Sequence, residues 1–208
     1  TTPWTIPANA AVSIGPELKY TLCNSKFGNI VLATDLVDQC SERWKTDLEK
    51  ISEVDGYLIK DIVLEHPYLE RDSILIQGDH VTTETGTGCV HTAPAHGVDD
   101  HNICKEYKID TIHALDGNGF FNQEYKDLAG LPAIKADQIV IDILKESGTL
   151  INEEDFHLGI PFEIQLNQVT LINNEIYFFY NTCIKYFGFC PGTRYRGIHK
   201  CLCRVFIL

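Results

Sequence analysis

The hydrophobic positions of this chain fall in short runs that polar or glycine-containing turns separate, a pattern typical of β-strands. Turns such as Asn24-Ser25-Lys26 and residues 82–88 divide one run from the next. The pattern predicts strands at residues 11–14, 19–23, 29–33, 57–65, 74–76 and 89–92.

Helical periodicity occurs in three places between these runs. One helix is predicted from Thr34 or Asp35 to about Trp44, a second after Asp99, and a third over about 136–147, which Gly148 ends. Many short strands with helices inserted between them predict a mainly β fold with a compact, β-barrel-like core.

The stretch from Thr85 to Asp100 reads TGTGCVHTAPAHGVDD and combines several chemically distinctive residues. Two glycines allow close backbone approach, a short strand leads to His91, and a Pro/Gly loop follows it. Asp99 and Asp100 stand where the second helix is predicted to begin, so we expect a carboxylate there to cap the helix and to stay ionised. A fixed anion beside an imidazole suits a pocket for a small cationic group, such as the ammonium of an amino acid.

The first nine residues, TTPWTIPAN, form a second unusual segment. Its two prolines fix the backbone and are predicted to exclude a helix. Its three threonines and Asn9 supply neutral hydrogen-bonding groups.

Together, TTPWTIPAN and GTGCVHTAPAHGVDD resemble the editing domain of isoleucyl-tRNA synthetase in its bacterial form, from Thr1 to about His157. The segments GDHVT and ADQIVIDILKESG belong to the same resemblance. The valine enzymes typically have a KITPAHDPND-like segment and the leucine enzymes an MAVPAHDQRD-like one, where this chain has HTAPAHGVDD. The resemblance implies the β-barrel-like editing fold and hydrolysis of valine mistakenly attached to tRNA(Ile). It also implies no cofactor in this domain, with ATP and zinc confined to other domains of the whole enzyme.

The resemblance also implies roles for individual residues. His91 forms the pocket wall that keeps isoleucine out, and Asp100 anchors the substrate's ammonium. Thr1 and Thr2 line the pocket and hold the ester or the attacking water, and Asn9 is a neighbouring polar residue. From the residues alone, other interpretations stay open: a hydrogen-bonded histidine at a strand end, a capping aspartate, and a Pro-rich loop closed by its own side-chain hydrogen bonds.

Two other classes of function stay open at this stage. Imidazole and carboxylate groups are legitimate metal ligands, which would make the chain a metal-dependent small-molecule hydrolase. However, no HExxH-like spacing occurs, so no metal site is predicted. The five candidate metal ligands for this first class are His91, His96, Asp99, Asp100 and His101.

The second class is an inactive fragment that only binds the aminoacylated tRNA end.

Length, charge and cysteine content narrow the picture further. The 208 residues carry a formal net charge of −12, which argues against broad nucleic-acid affinity. We therefore expect the other domains of the synthetase to grip the tRNA, while this domain receives only its 3′ end. The chain begins with threonine inside a motif and contains no methionine, so a partial segment is expected. No membrane span or signal peptide is predicted, and reduced thiols in the cytoplasm are favoured.

Residues 158–208 differ in composition from the rest of the chain. They hold two acidic and five basic residues, together with four of the eight cysteines and six of the ten phenylalanines. The family pattern fades after His157. We therefore predict two units, an editing domain at 1–157 and a tail of unclear origin at 158–208, to which no function is assigned.

Overall fold

The computed structural model describes residues 1–84 and 86–154 in full, and the backbone alone of residues 156–157, 169–172, 175–178 and 202–203. Thr85 and most of the predicted tail therefore lie outside the described residues. The strands run in chain order as β1 (Ala11–Ile14), β2 (Lys19–Ser25), β3 (Gly28–Ala33), β4 (Glu49–Asp55), β5 (Val63–Glu65), β6 (Asp72–Gln77), β7 (Cys89–Thr92), β8 (Phe156–His157), β9 (Val169–Ile172), β10 (Glu175–Phe178) and β11 (Leu202–Cys203). The α-helices are α1 (Val37–Trp44), α2 (Val98–Glu106) and α3 (Asp137–Glu146), and 3₁₀ turns occur at Pro3–Ala8, Thr34–Leu36, Gly56–Leu58 and Ala133–Lys135.

The larger sheet has the strand order β5-β6-β1-β7. Strand β1 is parallel to β6 and antiparallel to β7, and its register places Val12 opposite both Leu75 and His91. All four positions of β1 are buried, as expected for a central strand with apolar neighbours on both faces. The sheet therefore brings the segment that follows Asn9 alongside the strand that carries His91.

The smaller sheet has the order β3-β2-β4, and its outer strand β4 was not predicted from the sequence. Six of the seven residues of β4 are exposed and the segment reads EKISEVD, which lacks the alternation of a half-buried strand. Backbone pairing with β2, from Lys19 opposite Asp55 to Asn24 opposite Glu49, makes it a strand. An edge strand of this kind is decided by its partner and not by its own hydrophobic pattern.

The predicted strand at 57–65 was wrong over most of its length. Residues Gly56–Leu58 form a 3₁₀ turn, and only Val63–Glu65 pairs as a strand. The Gly56 N–H donates to the Leu18 carbonyl at 2.7 Å, and a Cβ at Gly56 would collide with the Gly15 carbonyl oxygen. Because the two backbones approach so closely, the chain turns at Gly56–Leu58 instead of continuing as a strand. The sequence alone does not reveal this contact.

The three predicted helices are present. The first has a 3₁₀ beginning at Thr34–Leu36 before α1, and the third ends one residue earlier than predicted. The buried face of α3 consists of Val140, Ile141 and Leu144. This face packs into a core cluster with the 3₁₀ turn at Pro3–Ala8, so α3 supports the loop that opens the chain.

Two hydrophobic clusters form the core of the described residues. The first joins the opening loop to α3 and to the chain around Phe121. The second lies between β2, β3 and α1, with Tyr20, Leu32, Val37, Cys40 and Trp44 at its centre. The described cysteines, Cys23, Cys40, Cys89 and Cys104, are free thiols.

The mainly β fold with inserted helices is confirmed, but the described residues form no closed barrel. Strands β3 and β4 are the edges of one sheet, and β5 and β7 are the edges of the other. A sulfur contact of 3.8 Å from Cys89 to the Val31 carbonyl joins the sheets at one side. Strand β8 pairs with β11, and β9 with β10, so these four segments form two small sheets of their own.

Within the described residues, no helix is both long and apolar enough to cross a membrane.

Candidate functional site

The opening segment is a buried 3₁₀ turn, so the prediction that its prolines exclude every helix was wrong. The turn spans Pro3–Ala8 and contains Pro7. Its hydrogen bonds run from Thr5 N to Thr2 O at 3.1 Å and from Asn9 N to Ile6 O at 2.9 Å. A 3₁₀ turn tolerates the prolines because neither bond requires a proline N–H. Burial of the whole turn fixes the positions of Thr5 and Asn9.

The connection between β5 and β6, residues 66–71, holds this turn in place by hydrogen bonds. His66 Nε2 donates to the Ile6 carbonyl at 2.9 Å, and its Nδ1 accepts from the Leu69 N–H at 3.1 Å. Arg71 donates to the carbonyls of Pro7 at 2.6 Å and Asn9 at 2.9 Å. Sequence reasoning missed both side chains because they lie about 60 residues from their partners and match no motif.

His91 holds hydrogen bonds on both ring nitrogens. Its Nδ1 lies 2.8 Å from Asn9 Nδ2, and its Nε2 lies 3.1 Å from Thr5 Oγ1. Thr5 in turn donates to the Thr2 carbonyl at 2.8 Å. The structure therefore joins His91, Asn9 and the Thr2 backbone in one hydrogen-bond network through Thr5, which was not among the predicted site residues.

The electrostatics of the ring favour the neutral imidazole. Burial lowers the pKa of His91 to about 3, with smaller contributions from His96 and His66. A neutral ring with both nitrogens engaged has no free lone pair with which to take a proton from water. The arrangement suits a His91 ring that forms a fixed wall of a pocket better than one that acts as a general base.

The loop after His91 packs against the opening turn. The His96 N–H donates to the Ala93 carbonyl at 2.9 Å, which closes a tight turn around Pro94. The buried His96 ring meets Trp4 edge to face, with the ring centroids 4.8 Å apart. Burial lowers the pKa of His96 to about 3, so this histidine is a neutral packing group.

Asp100 does not cap helix α2, which corrects the sequence prediction. The N-cap residue is Gly97, and no side chain caps the helix there; Asp99, also predicted as a cap, is exposed. Asp100 reaches back over the loop, where its Oδ2 accepts from the Ala93 N–H at 2.9 Å. Burial raises the pKa of Asp100 to about 6, so the carboxylate is ionised at neutral pH but takes up a proton in mild acid. Above that pH the carboxylate is a partly buried anion that a cationic partner would stabilise.

The predicted site residues are therefore placed in two neighbouring parts. Thr2, Asn9 and His91 share one hydrogen-bond network, and Thr1 directly precedes Thr2 in the chain. Within the described residues, Asp100 contacts the Ala93 backbone and not the His91 ring. Only Thr92 lies between His91 and Ala93 in the chain, so this segment joins the two parts.

The glycine-rich segment before β7 packs against β3. Gly88 has φ +76°, and a Cβ there would collide with the Cβ of Ala33. The Gly88 carbonyl accepts from the Tyr20 hydroxyl at 2.6 Å, and the Thr87 carbonyl accepts from the Ala33 N–H at 2.8 Å. Only glycine permits this approach, which sets the position of β7 and hence of His91.

The candidate metal ligands do not gather into a site. Within residues 1–84 and 86–154, no group of three or more His, Cys, Asp or Glu side chains is placed to hold a metal ion. His96 packs against Trp4, and Asp100 is bonded to backbone. The described geometry therefore gives the metal-dependent alternative no support.

A separate cavity of about 860 Å³ lies between the two sheets. Most of its lining is apolar and comes from β1 to β7 and from residues 148–151. Asn9 and Ser73 line part of it, whereas Thr2, His91 and Asp100 do not. The cavity thus touches the His91 network only through Asn9 and its partner Ser73.

Comparison with known proteins shows extensive similarity to isoleucine–tRNA ligases. The chain is 43% identical over 163 residues to that of Dichelobacter nodosus, a match covering 77% of this chain. It is 42% identical over 154 residues, 73% of this chain, to that of Staphylococcus aureus strain JH9, and 37% identical over 180 residues, 82% of this chain, to that of Crocosphaera subtropica. The chain spans 17–19% of the length of these relatives.

The fold has a solved counterpart. The crystal structure of GlLeuRS-CP1 superimposes with a TM-score of 0.55 and 14% sequence identity, covering 70% of this chain and 77% of that one. It is the CP1 editing domain of a leucyl-tRNA synthetase. No protein-family model matches the chain.

Proposed function

Because the chain belongs to the isoleucine–tRNA ligase family and has the fold of a CP1 editing domain, we propose that it hydrolyses the ester that joins valine to the terminal adenosine of tRNA(Ile). The observation that carries the proposal is the network of Thr2, Thr5, Asn9 and His91. It presents a rigid, neutral ring beside hydroxyl groups, as a pocket that selects by size would require.

Such a second site answers a physical limit on selection. One missing methylene changes binding in a hydrophobic pocket by only about 1–3 kcal/mol, and isoleucine against valine in this enzyme family is the standard example. Some tRNA(Ile) is therefore charged with valine. A pocket that admits valine and excludes isoleucine removes the error by hydrolysis.

We assign His91 to exclusion and not to proton transfer. Both of its ring nitrogens are engaged, and burial lowers its pKa to about 3. Held in this way, the ring closes off the volume that one extra methylene would need. The expected consequence is that loss of the ring relaxes selectivity before it slows hydrolysis.

We assign Asp100 to the substrate's ammonium group. Its carboxylate is partly buried, has a pKa of about 6 and is oriented by the Ala93 N–H. An ammonium beside this carboxylate would restore the electrostatic stabilisation that burial removes. The pairing orients the substrate and requires the ionised carboxylate.

For the chemical step we propose that Thr1 and Thr2 hold the ester and the attacking water. An aminoacyl ester is already activated, so positioning and carbonyl polarisation can suffice without a covalent nucleophile or a metal. By analogy with the family, the free ribose hydroxyl of the terminal adenosine assists. Asn9 holds the His91 ring in place rather than contacting the ester.

The proposed partners are the aminoacylated 3′ end of tRNA(Ile) and the other domains of the synthetase, in the cytoplasm. The net charge of −12 supports a division of labour in which other domains bind the tRNA body. The 208-residue chain alone should therefore bind tRNA weakly.

The test is deacylation of tRNA(Ile) charged with valine or with isoleucine, at saturating concentrations of the chain. We expect release of valine and protection of isoleucine, with no effect of a chelator. Loss of valine release on chelation would favour the metal-dependent hydrolase. Binding of a non-hydrolysable valyl-adenosine analogue without release of valine would identify a binding module instead.

A further inference from the structure

Ser73 is a buried polar residue that the roles above leave unused. It lies on β6 and is 2% exposed. Its hydroxyl donates to Asn9 Oδ1 at 2.6 Å across 64 positions of sequence. The contact is therefore created by the fold, and it links β6 to the side chain that holds His91.

The orientation of the Asn9 amide follows from its neighbours. Its Nδ2 lies 2.9 Å from the Ala11 carbonyl oxygen, which can only accept a hydrogen bond, so the nitrogen must face that way. Its Oδ1 then faces the Ser73 hydroxyl. The second Nδ2 proton points at His91 Nδ1, which must accept it.

The opposite side of the His91 ring requires the same tautomer. The hydroxyl proton of Thr5 is given to the Thr2 carbonyl, which can only accept. Thr5 Oγ1 must then accept from His91, so the ring proton is on Nε2. Two independent ends of the network thus agree on one neutral tautomer.

We infer that Ser73 is a positioning residue of the editing pocket, because its hydroxyl holds the Asn9 amide that fixes the orientation and tautomer of the His91 ring. The inference rests on the proposed function in assigning selectivity to His91. Asn9 is fully buried, so loss of the Ser73 hydroxyl leaves Oδ1 without its donor at a boundary with a mostly apolar cavity. The amide then has one anchor fewer, and the ring it holds gains freedom.

The test compares two variants of equal shape, Ser73→Val and Ser73→Thr. Both add bulk toward the cavity that Ser73 lines, but only threonine keeps the hydroxyl. Ser13→Ala is the matched control, because Ser13 is a buried hydroxyl on the adjacent strand β1 that pairs with Thr92 at 2.7 Å and not with Asn9. It reports what loss of any buried serine hydroxyl in this sheet does.

The first measurement is a nitrogen NMR spectrum of the 208-residue chain with isotope-labelled histidine side chains. The His91 signals are assigned as those that disappear in His91→Ala. We expect the Nε2-protonated signature in wild type, in Ser73→Thr and in Ser13→Ala. In Ser73→Val we expect His91 to show exchange or a mixture of tautomers. This readout needs no substrate.

The second measurement is the ratio of deacylation rates for valyl-tRNA and isoleucyl-tRNA. We expect Ser73→Val to lower this ratio about fivefold to tenfold, as loss of one buried neutral hydrogen bond predicts. Ser73→Thr should restore it, and Ser13→Ala should leave it unchanged.

A wild-type spectrum and ratio in Ser73→Val would overturn the inference while leaving the proposed function intact. An equal loss in Ser13→Ala would also overturn it, because the effect would then be general destabilisation. If the spectrum changes as expected but the wild type releases no valine, the positioning of His91 stands and the proposed function fails.

Discussion

At the residue scale, burial acts on His91 and Asp100 in opposite directions. It lowers the pKa of the imidazole to about 3 and raises that of the carboxylate to about 6. The ring is therefore neutral at every pH at which the carboxylate is charged. One neutral wall and one anion suit a substrate with an apolar side chain and an ammonium group.

Removing the charge of Asp100 should nearly abolish hydrolysis of valyl-tRNA. Asp100→Asn keeps an oxygen for the Ala93 N–H but cannot pair with an ammonium, and loss of such a buried partner costs on the order of 2–5 kcal/mol. Wild-type activity should also decline as pH falls through about 6, where the carboxylate takes up a proton. Steady-state deacylation measured from pH 5 to 8 checks both expectations.

Asp99→Asn is the matched control, since Asp99 is exposed and caps nothing. We expect its activity to stay within about twofold of wild type, because a charge in the first turn of a helix contributes only about 0.3–1 kcal/mol to stability. Equal losses in the two variants would refute the assignment of Asp100.

His91→Ala should relax specificity more than it slows hydrolysis. Removing the ring opens room for one methylene, while the carboxylate of Asp100 and the hydroxyls of Thr1 and Thr2 remain. Isoleucyl-tRNA should then be hydrolysed at a rate approaching that for valyl-tRNA. The assay compares both charged tRNAs, with the domain also placed in the full-length enzyme, where tRNA is held. A variant that loses valyl-tRNA hydrolysis yet still spares isoleucyl-tRNA would make His91 part of the chemistry.

At the element scale, the position of β7 depends on how closely the preceding glycines approach β3. Gly88 packs on Ala33, and the same segment receives hydrogen bonds from Tyr20 and from the Ala33 N–H. These contacts bind the strand that carries His91 to the second sheet. The geometry of the site therefore depends on a backbone contact outside it.

Gly88→Ala should destabilise the fold more than Gly86→Ala. Both glycines have positive φ, at +76° and +87°, so each substitution carries about 1–2 kcal/mol of backbone strain. Gly88 adds a collision with Ala33, whereas nothing lies within 4 Å of a Cβ at Gly86. The overlap should cost about 1–3 kcal/mol more. Urea unfolding of both variants measures the difference, and equal free energies of unfolding would contradict it.

At the scale of the whole molecule, burial favours the neutral form of three histidines among the described residues. Burial lowers the pKa values of His66 to about 4 and of His91 and His96 to about 3. All three contact the opening turn or the loop after β7. The fold around the site should therefore be sensitive to acid.

We expect the free energy of unfolding to fall as pH decreases from 6.5 toward 4. The unfolded chain protonates these three histidines near their ordinary value of 6.5, whereas the folded chain keeps them neutral. Asp100 opposes this, since the folded state binds its proton near pH 6 and the unfolded state near 3.8. Near pH 5 the unfolded state thus holds about two more protons, and stability should fall by roughly 2.7 kcal/mol per pH unit.

Denaturant unfolding at a series of pH values measures this slope. Asp100→Asn should steepen it by about one proton, because the opposing group is removed. A stability that stays constant between pH 6.5 and 5 would show that the three rings are not neutral in the folded state.

Truncation after His157 should leave a cooperative unfolding transition with little change in midpoint. Beyond residue 157 the described strands pair with one another or with β8, and they extend neither large sheet. Thermal unfolding of the truncated and complete chains makes the comparison. Loss of the transition would show that residues 158–208 supply part of the core.

The sequence by itself determined the three α-helices, most of the strands around the site and the motif residues. Helix α3 follows from its apolar periodicity, and strands β1 and β7 follow from short apolar runs between turn residues. The two motifs also identify His91, Asn9 and Asp100 as candidates. These features are local, so spacing and residue type are enough to predict them.

The tertiary structure decided what each candidate residue contacts. Strand β4 exists because β2 pairs with it, and residues Gly56–Leu58 turn because two backbones meet. Asp100 bonds to the Ala93 N–H instead of capping a helix, and burial sets its pKa. Ser73 reaches Asn9 across 64 positions, and no local pattern encodes that distance. Burial and long-range hydrogen bonds depend on which elements pack together, and so they appear only once the chain is folded.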